Sequence, residues 1–140
     1  MKVAYNGCYG GFSLSPLGLD LFASKKGITL TWYTRTRICE GPYTRLDEVP
    51  SSNGLCFYPF TKNLGPITSV IPDDELYYYP SFYESESRKD PDLIEVIEEL
   101  GSKANGSSSK LTIKEIPEGV DFEITEYDGY EDVVPPRMSW

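Results

Sequence analysis

The stretch MKVAYNGCYGGFSLSP, residues 1–16, decides the fold because it joins a short strand to a helix through a glycine-rich bend. Its first six residues have the composition of an opening strand, and Gly7, Gly10 and Gly11 follow within five positions. Such a density of glycine is typical of a backbone that turns tightly, adopts positive φ or lies very close to another group. We therefore predict that the rest of the chain packs around this bend.

A helix and a second strand follow the bend. Ser15 and Pro16 suit the N-cap and the first helical residue, and Gly27 suits the positive-φ residue that ends the helix near Lys26. From residue 28 apolar and polar residues alternate, which indicates a half-buried strand with a polar, partly basic outer face. Its inner residues would be Ile28, Leu30 and Trp32, and its outer residues Thr29, Thr31, Tyr33, Arg35 and Arg37. Residues 1–39 are thus predicted to be a β-α-β opening, right-handed if its strands are parallel.

The middle of the chain, residues 40–89, is predicted to be an irregular insertion. Its six prolines disfavour long elements: Pro42, Pro50, Pro59, Pro66, Pro72 and Pro80. Residues 55–58 are predicted to form one short strand. Tyr77, Tyr78 and Tyr79 lie among carboxylates, so this run is either an ordered packing segment or an exposed protein-contact patch.

The clearest element is a second amphipathic helix. Asp90 is a good N-cap and Pro91 fits the first helical position. An apolar stripe runs along one face: Leu93, Ile97, Leu100 and Ala104. We predict that the helix ends at Asn105 and Gly106.

Alternating residues after this helix predict two strands, at 111–117 and 120–125, that pair as an antiparallel hairpin. Asp128 and Gly129 permit a tight turn, so residues 130–134 add a further strand before the tail at 135–140. The sequence thus predicts one α+β domain over residues 1–140, with the C-terminal hairpin on a mixed sheet.

The charge of the chain is negative and unevenly distributed. The net charge is −9, and residues 73–140 hold six Lys/Arg against eighteen Asp/Glu. This acidity argues against direct nucleic-acid binding, which depends on neutralised phosphates. The three cysteines without histidine disfavour a zinc site and suit a reduced cytoplasm. No apolar run suits a signal peptide or a membrane span, so we expect a cytoplasmic protein without membrane contact.

The sequence lacks the residue combinations of the common catalytic sites. Without histidine there is no Ser-His-Asp or Cys-His arrangement, and no calcium-loop spacing occurs among the carboxylates. Cys8, near a predicted helix N-terminus, is the one tempting nucleophile, but a packed or incidental cysteine is the favoured interpretation. We expect no catalytic residues, no metal and no cofactor.

Two binding sites are considered instead. In the first, the backbone amides of the bend cradle an anionic ligand, with contributions from Gly10, Gly11, Phe12, Arg35 and Arg37, although a purely structural turn is favoured. In the second, an acidic face and the tyrosine run dock on a basic partner surface, although a merely solvated face is favoured. The residues of this second site are Asp121, Glu123, Glu126, Asp128, Tyr77, Tyr78 and Tyr79.

Three blocks of sequence resemble small bacteriophage and prophage proteins of unassigned function: KVAYNGCYGGFSLS at 2–15, RKDPDLIEVIEELGSKANG at 88–106 and IPEGVDFEITEYDGYE at 116–131. The resemblance implies an accessory protein that acts in the cytoplasm of a bacterial host. We therefore expect a non-catalytic inhibitor, of the anti-CRISPR or anti-restriction type, that binds a host defence protein with a basic surface. The alternative is a protein that binds a nucleotide signal at the glycine bend.

Overall fold

The computed structural model describes residues 1–37, 40–50, 57–68, 78, 80–82 and 84–134. Within these ranges the chain forms eight strands: β1 (Lys2–Asn6), β2 (Thr31–Arg37), β3 (Glu40–Arg45), β4 (Phe57–Phe60), β5 (Ile67–Thr68), β6 (Leu111–Glu115), β7 (Glu123–Tyr127) and β8 (Tyr130–Val134). Its helices are α1 (Pro16–Lys25) and α2 (Pro91–Leu100), with 3-10 turns at Ser85–Lys89 and Gly101–Ala104.

Helix α1 begins and ends as the sequence predicts. The Ser15 hydroxyl accepts a hydrogen bond from the Gly18 amide at 3.0 Å, which caps the first turn. Gly27 follows the helix with φ of +79°, a conformation that glycine adopts without a Cβ penalty. The Ser15 hydroxyl also donates to the Lys103 carbonyl at 2.6 Å, so the N-terminal cap is joined to the segment after α2.

Helix α2 begins at the predicted residue and ends earlier than predicted. The Asp90 carboxylate accepts a hydrogen bond from the Asp92 amide at 2.9 Å and caps the helix. The α-helix stops at Leu100 because Gly101 adopts φ of +58°, and a 3-10 turn continues to Ala104. Ala104 is nevertheless fully buried, so the predicted apolar stripe extends past the end of the α-helix.

Every strand pair among the described residues is antiparallel, so the predicted mixed sheet is wrong. β1 pairs with β6, and β2 lies inside a four-stranded sheet of order β4-β2-β3-β5. The strand, helix and strand of the opening therefore follow one another along the chain without forming a parallel β-α-β unit. β1 instead takes a partner more than a hundred residues away, from Lys2 opposite Glu115 to Asn6 opposite Leu111.

The C-terminal hairpin exists, but it is formed by different strands from those predicted. β7 pairs with β8 across the Asp128–Gly129 turn, whereas the predicted partner of β7, strand β6, pairs with β1. Asp128 and Gly129 both adopt positive φ, of 49° and 85°, as a tight hairpin turn requires. β6 is held to the start of the chain by the Gly7 amide, which donates to the Lys110 carbonyl at 2.8 Å.

The middle segment is more regular than predicted. Strands β3, β4 and β5 all join β2 in the four-stranded sheet, and β4 matches the predicted short strand in part. The outer face of β2 is not simply polar, because Tyr33 is fully buried there against Tyr43 and Phe60. Residues 38–39, 51–56, 69–77, 79, 83 and the predicted tail at 135–140 lie outside the described ranges.

The core of this α+β domain lies where the two helices meet the sheets. Buried residues of α2, Leu93, Ile94 and Ile97, pack on Ala4 of β1. Phe22 of α1 packs on α2, and further buried residues contact β2. No helix in the described ranges is both long and apolar enough to cross a membrane.

Candidate functional site: the bend cleft and the hairpin face

Asn6, at the end of β1, connects the glycine bend to two other segments through side-chain hydrogen bonds. Its side chain is fully buried, and its Nδ2 donates to the carbonyls of Cys8 at 2.6 Å and Gly129 at 2.7 Å. Its Oδ1 accepts a hydrogen bond from the Lys110 amide at 2.8 Å. One amide side chain therefore ties together the bend, the β7–β8 turn and the start of β6.

Close backbone contacts explain Gly10 of the bend and Gly129 of the facing turn, whereas Gly11 has φ of +103° and open space at its Cβ position. A Cβ at Gly129 would lie 2.3 Å from the Gly11 nitrogen, and one at Gly10 would lie 2.4 Å from the Ser108 carbonyl oxygen. The Gly10 amide donates to the Asp128 carbonyl at 3.1 Å, which holds the bend against the hairpin turn. The bend thus packs against the hairpin turn, and it also forms one wall of a cavity.

A buried ion pair lies beneath the bend. Arg88 contacts Glu131 through two hydrogen bonds, Nη1 to Oε1 at 2.5 Å and Nη2 to Oε2 at 2.8 Å. The Arg88 Nε donates to the Phe82 carbonyl at 2.6 Å, and the guanidinium lies 3.9 Å from the Phe12 ring centre. Glu131 Oε1 also accepts a hydrogen bond from the Asn6 amide at 2.8 Å. These contacts satisfy two buried charges with paired hydrogen bonds, as burial requires.

We use the name bend cleft for the cavity of about 520 Å³ above this ion pair. Among the described residues four segments border it: the glycine bend, residues 80–82, the 3-10 turn that carries Arg88 and the β7–β8 hairpin. The described residues that line it are Gly10, Gly11, Phe12, Ser13, Pro80, Ser81, Phe82, Arg88, Glu126, Asp128, Gly129 and Glu131. The lining combines aromatic and glycine surface with three carboxylates and one guanidinium.

The structure assembles only part of the predicted anion site. Gly10, Gly11 and Phe12 line the bend cleft. Arg35 does not line it, because it lies on β2 of the four-stranded sheet with its guanidinium 4.6 Å from the Tyr43 ring centre. Arg37 belongs to the same strand, and its side chain lies outside the described part of the structure. The sequence reasoning missed Arg88, the arginine that does reach the cleft.

We use the name hairpin face for the outward side of β7 and β8. The register gives Glu123, Thr125 and Tyr127 of β7 a common side with Tyr130 and Asp132 of β8, and all five residues are exposed. Tyr127 is 73% exposed and Tyr130 is 45% exposed, which is unusual for large aromatic side chains on a regular strand. The Tyr130 ring also lies 5.4 Å from the ring of Tyr9, an exposed residue of the glycine bend.

The predicted acidic residues are exposed, but they do not share one face. Asp121, Glu123, Glu126 and Asp128 make no ion pair with any residue in the described ranges. Glu126 points to the opposite side of β7 from Glu123, borders the bend cleft, and accepts a hydrogen bond from the Gly129 amide at 3.0 Å. Asp128 also borders the cleft, so the carboxylates divide between the hairpin face and the cleft rim.

The tyrosine run contributes to packing where it is described. Tyr78 is half-buried against the Ala23, Leu30 and Trp32 cluster, and its amide donates to the Pro59 carbonyl at 3.1 Å. Burial raises the pKa of the Tyr78 phenol, as expected for packing. Tyr77 and Tyr79 lie outside the described residues.

Among the residues that the structure describes, the exposed tyrosines are Tyr9, Tyr127 and Tyr130, which sequence reasoning missed as candidate contacts. The sequence does indicate that two of them lie together on one face. Tyr127 and Tyr130 directly flank Asp128–Gly129, and residues on either side of a two-residue hairpin turn are cross-strand partners on one face.

Cys8 has the surroundings of a structural thiol. Its Sγ contacts two acceptors, the Asn6 side-chain oxygen at 3.6 Å and the Ser108 carbonyl at 3.4 Å, which hold it against neighbouring segments. Cys39 and Cys56 lie outside the described residues. Within the described ranges, no group of three or more cysteine, aspartate or glutamate side chains has the arrangement of a metal site.

Comparison of the chain with protein-family models, with curated proteins and with solved structures gave no match. The functional argument therefore rests on the chemistry of the hairpin face and the bend cleft.

Proposed function

We propose that this protein binds a partner protein with a basic surface and inhibits it by occupying that surface. The main support is the hairpin face, where two exposed tyrosines lie beside carboxylates, of which Glu123 has no ion-pair partner among the described residues. Tyrosine supplies a large contact area with little loss of conformational entropy, and aromatic residues are enriched in protein interfaces. Asp132 of this face pairs with Lys114, and the carboxylate of Glu123, unpaired within the described ranges, favours a positively charged partner.

The proposed target, a bacterial defence protein, follows from this surface together with the resemblance to phage proteins. A small acidic phage protein can inhibit a bacterial defence protein by covering its positively charged nucleic-acid channel. We accordingly propose a cytoplasmic inhibitor of the anti-CRISPR or anti-restriction type. The uneven charge supports it, since residues 73–140 have a net charge of −12 from six basic and eighteen acidic residues.

A defence assay tests this proposal. The protein would be expressed in bacteria that carry one CRISPR or restriction system, and phage plating would be compared with that on cells without it. We expect the wild-type protein to restore plating and the Glu123→Lys variant to lose most of this effect. Glu48→Lys is the matched control, because Glu48 is an exposed carboxylate outside the hairpin that undergoes the same charge change. Equal activity of the two variants, or no restoration by the wild type in any system, would contradict the proposal.

A second candidate function is binding of a small molecule in the bend cleft. The volume of about 520 Å³ supports it, since ligand cavities commonly fall in this range. The charge of the lining argues against the nucleotide signal expected from the sequence, because a phosphate would meet three carboxylates and an arginine that is already paired. Isothermal titration with cyclic dinucleotides would show saturable binding if this function is correct and a flat trace if it is not.

A further inference from the structure

The bend cleft is a shaped cavity next to the hairpin face. The Asp128–Gly129 turn belongs to both, since it lines the cleft and connects the two strands of the face. The cleft lies on the opposite side of the hairpin from this face, so a partner that covers the hairpin face and extends around the turn can place one side chain in the cleft. The chemistry of the lining then determines which side chain fits.

The floor of the cleft offers no positive charge to a ligand. All three nitrogens of the Arg88 guanidinium are engaged, Nη1 and Nη2 by Glu131 and Nε by the Phe82 carbonyl. One face of the guanidinium is also covered by the Phe12 ring at 3.9 Å. An anion that bonded to Arg88 would have to break a buried pair, which is strongly unfavourable.

The rim of the cleft offers negative charge. Glu126 and Asp128 border it, and both carboxylates are exposed and without an ion pair among the described residues. Hydrogen bonding of Glu126 Oε1 to the Gly129 amide orients this carboxylate against the turn. The three carboxylates and one guanidinium of the lining sum to a charge of −2. Two carboxylates held on one rim beside aromatic surface are suited to a cation.

We propose that the bend cleft binds an arginine side chain of the partner protein. This inference rests on the proposed function and specifies the chemistry of the partner. The aliphatic part of the arginine would pack along Phe12 and Phe82, and its guanidinium would pair with Glu126 and Asp128 at the rim. Arginine fits better than lysine because its planar group pairs with carboxylates through two hydrogen bonds and loses its hydration more readily.

Titration of the intact protein with short peptides tests the inference. The probe is acetyl-Gly-Gly-Arg-Gly-Gly-amide, and the comparators are the same peptide with lysine or with citrulline, the neutral isostere of arginine. Amide NMR shifts of Gly10, Gly11 and Gly129 report the cleft, and those of Thr125 report the hairpin face. We expect saturable shifts at the three glycines with the arginine peptide, at least tenfold weaker binding of the citrulline peptide and weaker binding of the lysine peptide. Equal affinity for arginine and citrulline, or tighter binding of lysine, would overturn the inference.

Two isosteric variants identify the carboxylates that bind. Glu126→Gln and Asp128→Asn each remove one charge with little change in shape, and asparagine tolerates the positive φ of residue 128. Each variant is expected to bind the arginine peptide with at least fivefold lower affinity than the wild type. Glu48→Gln, outside the cleft, should leave this affinity unchanged. Unchanged affinity in both rim variants would overturn the inference.

The two proposals fail in different ways. If the arginine peptide does not bind but Glu123→Lys still abolishes inhibition of the defence system, the inference is wrong and the proposed function stands. If the peptide binds at the glycines but no defence system is inhibited, the proposed function is wrong and the cleft assignment stands. Saturable binding of inorganic phosphate that displaces the arginine peptide would overturn the inference as well.

Discussion

Arg88 and Glu131, 43 residues apart in the chain, form a buried ion pair with two matched hydrogen bonds of 2.5 and 2.8 Å. Arg88 lies on the 3-10 turn that precedes α2, and Glu131 lies on β8. Only 3% of Arg88 and 7% of Glu131 is exposed. The pair therefore joins the C-terminal hairpin to the segment before α2, and Glu131 joins it to β1 through the Asn6 amide.

Removing one member of this pair should destabilise the protein strongly. Glu131→Gln leaves the Arg88 guanidinium buried without a counter-charge, and breaking a buried pair in this way lowers the free energy of unfolding by about 3–5 kcal/mol. Chemical denaturation of the variant and the wild type measures this change. Glu123→Gln on the same hairpin is the control, since Glu123 is exposed, and it should change the free energy by less than about 0.5 kcal/mol.

A double variant separates the effect of the unpaired charge on stability from the effect of the surrounding packing. Replacing both charges in Arg88→Met/Glu131→Leu removes the unpaired charge, so its free energy of unfolding should exceed that of Glu131→Gln. If the double variant is the less stable of the two, the loss in Glu131→Gln does not come from an uncompensated charge.

The second prediction concerns two glycines with similar backbone conformations and different surroundings. Gly119 has φ of +73° and open space around its Cβ position, whereas Gly129 has φ of +85° and a Cβ position 2.3 Å from the Gly11 nitrogen. Gly119→Ala should lower the free energy of unfolding by about 1–2 kcal/mol through backbone strain alone. Gly129→Ala should lower it by about 1–3 kcal/mol more, because the bend must move away from the turn.

Thermal unfolding of both alanine variants measures this difference. In Gly129→Ala, the amide NMR signals of Gly10 and Gly11 should also shift, whereas they should stay in place in Gly119→Ala. Equal stability of the two variants would show that the contact between the bend and the turn contributes nothing.

The elements with local signals were predictable from the sequence. Ser15 and Asp90 cap their helices, and Asp128–Gly129 forms the predicted turn, because capping and tight turns depend on residues within a few positions of one another. Strand pairing depends on contacts between distant residues. The pairing of β1 with β6 leaves no sequence signature in either strand, so β6 was assigned to its neighbour β7 instead of to β1.

The candidate site was predictable to a similar extent. The sequence identifies the glycine bend as a segment around which other parts pack, but Glu131, which is buried beneath it, is absent from the predicted sites. The alternation along β8 indicates that Glu131 is buried, since it lies on the same inward side of the strand as Val133. The partner of Glu131 could not be inferred, because nothing near Arg88 in the sequence distinguishes it from an exposed arginine.

The third prediction concerns pH and the contact between the two helices. The Lys26 Nζ lies 2.8 Å from carboxylate oxygens of both Asp90 and Asp92. These hydrogen bonds raise the pKa of Lys26 well above its ordinary value of 10.5. Because the pKa is higher in the folded state, this stabilisation is fully present below pH 10.5 and is lost as the pH rises through the folded-state pKa.

Comparison of melting temperatures tests this dependence. Lys26→Gln should melt a few degrees below the wild type at neutral pH, and the difference should stay constant up to a pH near the ordinary lysine pKa and narrow above it. Since Lys26 is exposed, added salt should also reduce the difference at neutral pH. A difference that widens at alkaline pH would contradict the sign of the pKa shift.

The fourth prediction concerns the exposed tyrosines of the hairpin face. Tyr127 is 73% exposed, so Tyr127→Ala should leave the free energy of unfolding nearly unchanged. If the proposed function is correct, the same change should weaken inhibition of the defence system at least tenfold in a dose-response plating assay, as expected for a central aromatic contact. Ile67→Ala is the matched control, since Ile67 is a 64% exposed apolar residue on β5, outside the hairpin face. Equal loss of inhibition in the two variants would show that exposed apolar area in general, and not the hairpin face, contacts the partner.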